Sequence, residues 1–218
     1  LLSNSKENIL HPAVPGCLPF FNVTTTRSGE LAKCTNVPNR ALQFAEDHAF
    51  VHTVIMASRG SAYLTGKGYG ETPDQIGKEL QLKLTSQPEI MDHRVIFKTG
   101  MELTLSRLVA KNKRVIFVID TPELGFDPRS CIETRPWRLT EQPLKSVCAV
   151  PRQAYEARNQ AYRALVKEVL SNFPTVKVFD AAAELCDGQW CWASRDGQML
   201  YRDNHHLSVD GSRYLARG

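Results

Sequence analysis

The chain has 218 residues, 42% of them hydrophobic, and its 27 basic and 23 acidic side chains leave a formal charge of +4. That is enough apolar material for one α/β domain with a sizeable core, and the basic residues are too few and too scattered to form a nucleic-acid-binding surface. No apolar run approaches the roughly 18 residues a membrane span needs, and nothing at the start resembles a signal peptide.

Six cysteines, Cys17, Cys34, Cys131, Cys148, Cys186 and Cys191, include no C-x-x-C pair of the kind that zinc or thioredoxin-like chemistry uses. Disulfides are therefore expected. Loop closure is cheapest for sequence neighbours, which favours Cys17–Cys34, Cys131–Cys148 and Cys186–Cys191, each stabilising by roughly 2–4 kcal/mol. Such bridges persist in an oxidising compartment: the bacterial periplasm, an exterior surface or the secretory lumen.

In chain order, residues 1–9 read as the tail of a helix running into a strand. Helical patterns are expected over 39–48, 101–111 and 153–172, the last with Ala154, Ala157, Ala161, Leu165 and Val169 as its core-facing stripe. Each is followed by a short β-branched run, at 51–57, 114–120 and 176–179, apolar on both faces as strands covered on both sides must be. This alternation predicts a three-layer α/β/α sandwich with a central parallel sheet. Residues 121–150, with Pro122, Pro128, Pro136 and Pro143 and a bridge from Cys131 to Cys148, read as an ordered excursion loop over one end of that sheet. Gly211-Ser212-Arg213 reads as a helix start, so the chain ends in mid-helix. The expected organisation is one domain over 1–218, cut from a longer protein at both ends.

The chemistry concentrates in Tyr201-Arg202-Asp203-Asn204-His205-His206-Leu207-Ser208. An aspartate three residues before a histidine, in a loop ahead of a helix, can aim its carboxylate at imidazole Nδ1 while Nε2 faces a nucleophile. His205, two residues from Asp203, is the rival base. His48, His52 and His93 show no metal-ligand spacing, and no metal is expected. Trp190, Trp192 and Tyr201 either stack on a sugar or simply pack beside a disulfide loop.

The segment from Tyr201 to Gly211 resembles the final D-x-x-H-L block of SGNH hydrolases, and more specifically the SGNH domains fused behind acyltransferase family 3 membrane domains. Gly16-Cys17-Leu18-Pro19, residues 54–63, Asp120-Thr-Pro-Glu-Leu-Gly-Phe-Asp-Pro128 with Cys131, Cys148-Ala-Val-Pro-Arg152 and residues 186–201 share the same likeness, which spans nearly the whole chain. The resemblance implies Asp203 as orienting acid and His206 as base. It places the nucleophile on a Gly-Asp-Ser block ahead of residue 1, since the chain contains no such triplet. Gly16 either supplies an oxyanion-hole N–H or serves the turn before Cys17. Arg59 either aims at an oxyanion or substrate group or is an ion-pair partner.

The implied activity is transfer of an acyl group, usually acetyl, through an acyl-serine to a hydroxyl of a cell-surface glycan. No cofactor bound by this domain is expected. The donor, acetyl-CoA, would be used through a membrane acyltransferase domain of the same polypeptide, which places this domain in the periplasm. Alternatives are an acyl esterase using the same pair with water as acceptor, and a non-catalytic glycan-binding module.

Overall fold

A computed structural model of the protein describes residues 8–12, 14–27, 31–70, 73, 79–132 and 147–217. Its centre is a parallel sheet in the order β2-β4-β6, with β2 at Thr53–Ala57, β4 at Arg114–Ile119 and β6 at Lys177–Asp180. Ile55 stands beside Ile116, and Val118 beside Phe179. These are the three strands that the β-branched runs predict, and the fold class is α/β around a parallel sheet.

One face of the sheet is packed by α3 (His93–Ala110) and α4 (Arg152–Leu170). Val115, Phe117 and Ile119 of β4 meet Met101, Leu105 and Leu108 from α3, and Tyr162, Leu165, Val166 and Val169 from α4, in the main core. The Asp92 carboxylate starts α3 by accepting the N–H of Arg94 and Val95 at 2.8 and 3.2 Å. The core stripe of α4 is Tyr155, Asn159, Tyr162, Leu165, Val166 and Val169. It is rotated from the expected one: Ala157 and Ala161 are exposed, because the tyrosines carry far more apolar surface and claim the buried face.

The opposite face departs from expectation. Apolar residues on both faces predict cover on both, yet Ile55 is 65% exposed and Val178 49% exposed. Strand propensity alone makes such residues favourable in β2 and β6, and the described residues leave this face and the outer edge of β2 open.

Several elements escape the sequence patterns. β1 (Val23–Arg27) and β3 (Leu80–Leu84) pair antiparallel and bury Val23, Leu80, Leu82 and Leu84 against the main core. Helix α1 (Leu31–Asp47) begins eight residues before the expected start and runs through Pro38, and α2 (Gly60–Thr65) follows β2 closely. At the other end, residues 8 and 9 have no regular structure where a helix-to-strand passage is expected, and residues 1–7 lie outside the described residues.

The expected excursion keeps both ends: Pro128–Cys131 forms a 3-10 turn, and Cys131 is bonded to Cys148 at the edge of β5 (Ala149–Pro151). Residues 133–146, with Pro136 and Pro143, lie outside the described residues. Cys17 is bonded to Cys34 and Cys186 to Cys191.

A second, smaller core lies near the carboxyl end of the sheet, built from Leu124, Phe126, Val150, Tyr155, Leu185 and Leu200 among others. It gathers α5 (Ala181–Leu185), β7 (Trp190–Trp192, paired with β5) and the short β8–β9 hairpin (Ser194–Arg195, Gln198–Met199). The last helix, α6 (Val209–Leu215), is capped by Ser208, whose Oγ accepts the Gly211 N–H at 2.9 Å and donates to Met199 O at 2.6 Å. A Cβ on Gly211 would stand 1.9 Å from the Leu200 carbonyl oxygen. Backbone cannot retreat as a flexible side chain does. Gly211→Ala is therefore expected to destabilise the domain by about 3 kcal/mol, read as a lower midpoint in chemical denaturation.

Candidate active site

The carboxyl end of a parallel sheet is where α/β folds open a crevice for ligands. Here β2 delivers Ser58 and Arg59, and β4 delivers Asp120, Thr121 and Glu123. Above them sits the loop of residues 202–206, closed by a bridge between Tyr201 and Leu207 and by the Arg202 N–H donating to His206 O at 2.8 Å.

Asp203 organises this loop. Its Oδ1 accepts the N–H groups of His205 at 3.1 Å and His206 at 2.8 Å, an aspartate turn of the kind that short carboxylate side chains form. Its Oδ2 lies 2.9 Å from His206 Nδ1. Partial burial pushes the carboxyl up, but the two N–H groups and the His206 imidazole outweigh it and hold the group down to about 2. Asp203 is therefore ionised at neutral pH. With Nδ1 turned to the carboxylate, Nε2 is the ring nitrogen left for a reacting group, and the side chain is 53% exposed. The rival base is turned elsewhere: His205 Nδ1 faces Asn204 Oδ1 at 2.6 Å.

The loop rests on the 120–124 turn. The Leu124 N–H donates to Asn204 O at 2.8 Å, and Thr121 Oγ1 lies 3.5 Å from His205 O. That turn is held by Glu123, whose side chain is 4% exposed and lies between two guanidinium groups. Arg59 reaches Glu123 Oε1 through Nε at 2.8 Å, and Arg158 Nε reaches Oε2 at 2.9 Å. Arg158 also donates to Thr65 Oγ1 and Lys67 O, tying α4 to the end of α2.

Asp120, half-buried at the end of β4, accepts the Thr121 N–H at 2.8 Å. Burial is the main cause that lifts its carboxyl to about 7, with Glu123 adding to the lift and Arg59 opposing it.

Of the residues singled out in the sequence, the structure brings Asp203 and His206 into contact. Arg59 is close by but bound to Glu123, the ion-pair arrangement. Gly16 adopts φ +79° in the turn before Cys17, whose N–H donates to Val14 O. Among the described residues, neither Gly16 nor Arg59 is hydrogen-bonded to Asp203 or His206. Tyr201 is 3% exposed and cannot offer its ring to a sugar. Trp192 is half-buried, its indole N–H donating to Asp187 at 2.6 Å. Sequence reasoning missed Asp120, Glu123 and Arg158. The signal available was position: acidic residues directly after a buried parallel strand.

An Asp–His pair on a loop over the carboxyl end of a parallel sheet is the arrangement of a carboxylate-oriented general base in an α/β domain. The family model described as "SGNH domain (fused to AT3 domains)" matches residues 1–218, and the chain belongs to that family. Among solved structures it is similar to the Salmonella ser. Paratyphi A lipopolysaccharide acetyltransferase periplasmic domain, with a TM-score of 0.52 and 15% sequence identity over 91% of this chain. The chain spans 66% of the length of that structure. Comparison with curated proteins gives no match. Three disulfides fit an extracytoplasmic domain, and no helix among the described residues is long and apolar enough to cross a membrane.

Two outcomes follow for Glu123 and Asp120. Glu123→Gln leaves Arg59 and Arg158, 17% and 13% exposed, without their counter-charge, and is expected to destabilise by roughly 3–5 kcal/mol in denaturant titration. Asp120 binds its proton more tightly folded than unfolded, so it lowers stability as pH rises from about 4 to about 7, by up to about 1.4 kcal/mol per pH unit. Asp120→Asn is expected to remove that slope, measured as melting temperature against pH.

Proposed function

We propose that this chain is the extracytoplasmic catalytic domain of a glycan O-acyltransferase, in which Asp203 and His206 move an acyl group, acetyl as the simplest case, from an acyl-serine to a sugar hydroxyl. The observation that carries the reading is the Asp203 carboxylate against His206 Nδ1 at 2.9 Å, in a chain of the family fused to AT3 domains. The similarity to a lipopolysaccharide acetyltransferase periplasmic domain supports a cell-surface glycan as acceptor.

The serine hydroxyl attacks the acyl carbonyl while His206 Nε2 takes its proton, and the Asp203 carboxylate stabilises the imidazolium that forms. The imidazolium then returns the proton to the leaving group. In the second half the sugar hydroxyl gives its proton to Nε2 as it attacks the acyl-serine, and the imidazolium passes that proton to the serine oxygen as its bond to the acyl carbon breaks, which restores the serine and the neutral His206.

The serine is assigned to polypeptide outside the described residues. Ser61 Oγ donates to Asn159 Oδ1 and Ser212 Oγ to Ser208 O, so neither candidate beside glycine serves His206. The open edge of β2 and exposed Ile55 offer a place for such a segment to pack. Acetyl-CoA is assigned as donor through the AT3 membrane domain of the same polypeptide, with no cofactor held here. The assigned location is the periplasmic side of the inner membrane.

A second reading, hydrolysis by the same residues, is favoured by the exposure of His206, which lets water reach Nε2. In the full-length protein, Asp203→Asn and His206→Ala are each expected to lower acylation of the glycan 10²–10⁴-fold, roughly the range for a lost general base. Unchanged acylation in either variant would sink the proposal. Product analysis with and without a sugar acceptor separates transfer from hydrolysis. Labelling by a serine-directed fluorophosphonate separates both from a binding module.

A further inference from the structure

Acyl transfer uses Asp203 and His206 and gives His205 no task. Yet Asp203, His205 and His206 each offer a ligand atom within 4.8 Å of the other two. His206 Nδ1 is 2.9 Å from Asp203 Oδ2, and His205 Nδ1 is 3.6 Å from Asp203 Oδ1. A tetrahedral zinc ion, with bonds of about 2.0–2.1 Å, separates neighbouring ligand atoms by about 3.3 Å. The two separations run to the two oxygens of one carboxylate, and with all three donors inside 4.8 Å a single ion gathers them by small side-chain rotations. The imidazole rings are 3.9 Å apart between centroids, and His205 Nδ1 reaches the ion by leaving Asn204 Oδ1, which it faces at 2.6 Å. Asp203 is fixed by two backbone N–H groups on Oδ1, which leaves Oδ2 as a pre-positioned ligand. Among the described residues Arg202 is the cation ion-paired with Asp203: its Nε is 3.6 Å from Oδ2, on a side chain 69% exposed and able to swing into solvent.

We propose that Asp203, His205 and His206 bind a borderline divalent cation of the zinc class, and that its binding switches the Asp–His pair off. Two imidazoles and a carboxylate suit zinc, with a fourth position left to water. The switch follows from tautomers. A neutral imidazole carries one N–H. With Nδ1 of His206 on the metal, the proton sits on Nε2, which then has no lone pair to accept a hydroxyl proton. The metal also replaces the hydrogen bond between Asp203 and His206. No bond to carbon forms or breaks, and chelation reverses the change. Two adjacent histidines match no helical or looped metal spacing, and the third ligand comes through the aspartate turn.

Binding stands on geometry alone, whereas the inhibition rests on the acyl-transfer reading. The test uses the purified full-length protein. Zinc binding is measured by calorimetry and the ligand set by the visible spectrum of Co²⁺, for wild type and His205→Ala. The expected result is tetrahedral d–d bands in wild type, with zinc affinity lower by roughly a hundredfold in His205→Ala, the upper end of what even outer-shell partners contribute. His205→Ala keeps metal-free acyl transfer within about twofold, and its half-inhibiting zinc concentration rises by the same factor as its Kd. Equal zinc affinity in wild type and His205→Ala, or absence of the Co²⁺ bands, would overturn the site. Binding without inhibition would overturn the switch. If the acyl-transfer reading fails instead, Asp203→Asn and His206→Ala leave acylation intact while calorimetry still reports on the site.

Discussion

The geometry of the site depends on one buried carboxylate. Glu123 is almost out of solvent, and desolvating a carboxylate is unfavourable by several kcal/mol unless opposite charge meets it. Arg59 and Arg158 meet it from two sides, one at the end of β2 and one on α4. Because Glu123 sits one residue before Leu124, whose N–H holds Asn204 O, the same pairing that neutralises a charge also fixes the seat of the loop that presents Asp203 and His206. Two cations against one anion leave a net positive charge beneath the site, which Asp120, holding its proton up to about pH 7, does not offset in the acid range.

Asp203 has two tasks that reinforce each other. The N–H groups it accepts from His205 and His206 shape the turn, and they also keep the carboxyl ionised against the effect of partial burial. An ionised carboxylate then orients His206. A single side chain thus converts local backbone geometry into a defined tautomer, which is why the spacing of three residues matters: the turn and the imidazole contact need the same carboxylate at the same place.

Much of this was legible in the sequence. Three β-branched runs mark the parallel strands, and the Asp-x-x-His spacing marks the contact between Asp203 and His206. The cysteine order anticipates the pairs found. Other parts were not legible. β1 reads Val-Thr-Thr-Thr-Arg, too polar to separate from loop by periodicity, whereas β3, Leu-Gln-Leu-Lys-Leu, alternates apolar and polar as a half-buried strand does, and that period was the signal available. The face of α4 was misjudged because alanines fit either environment, whereas Tyr155 and Tyr162 gain most from burial. Arg59 could be flagged, but its partner Glu123 lies 64 residues away, and no local pattern encodes a pair closed by tertiary structure.

Exposure of the pair bears on what decides between transfer and hydrolysis. With Asp203 and His206 side chains 41% and 53% exposed, the described residues do not exclude water from Nε2. Water is present at far higher concentration than any sugar. On the proposed reading, an acceptor hydroxyl wins only if it is held at the acyl group, where orientation alone gives effective concentrations of about 10⁵ M or more. The base itself has no means of telling the two acceptors apart, since it removes a proton from either. Selectivity must therefore come from surfaces that bind the glycan or cover the pair. The open side of β2, the strand that carries solvent-facing Ile55 and delivers Arg59, is on that reading a surface of the right kind: a segment packed along it and reaching the carboxyl end of the sheet would bring the serine and shield the acyl group together.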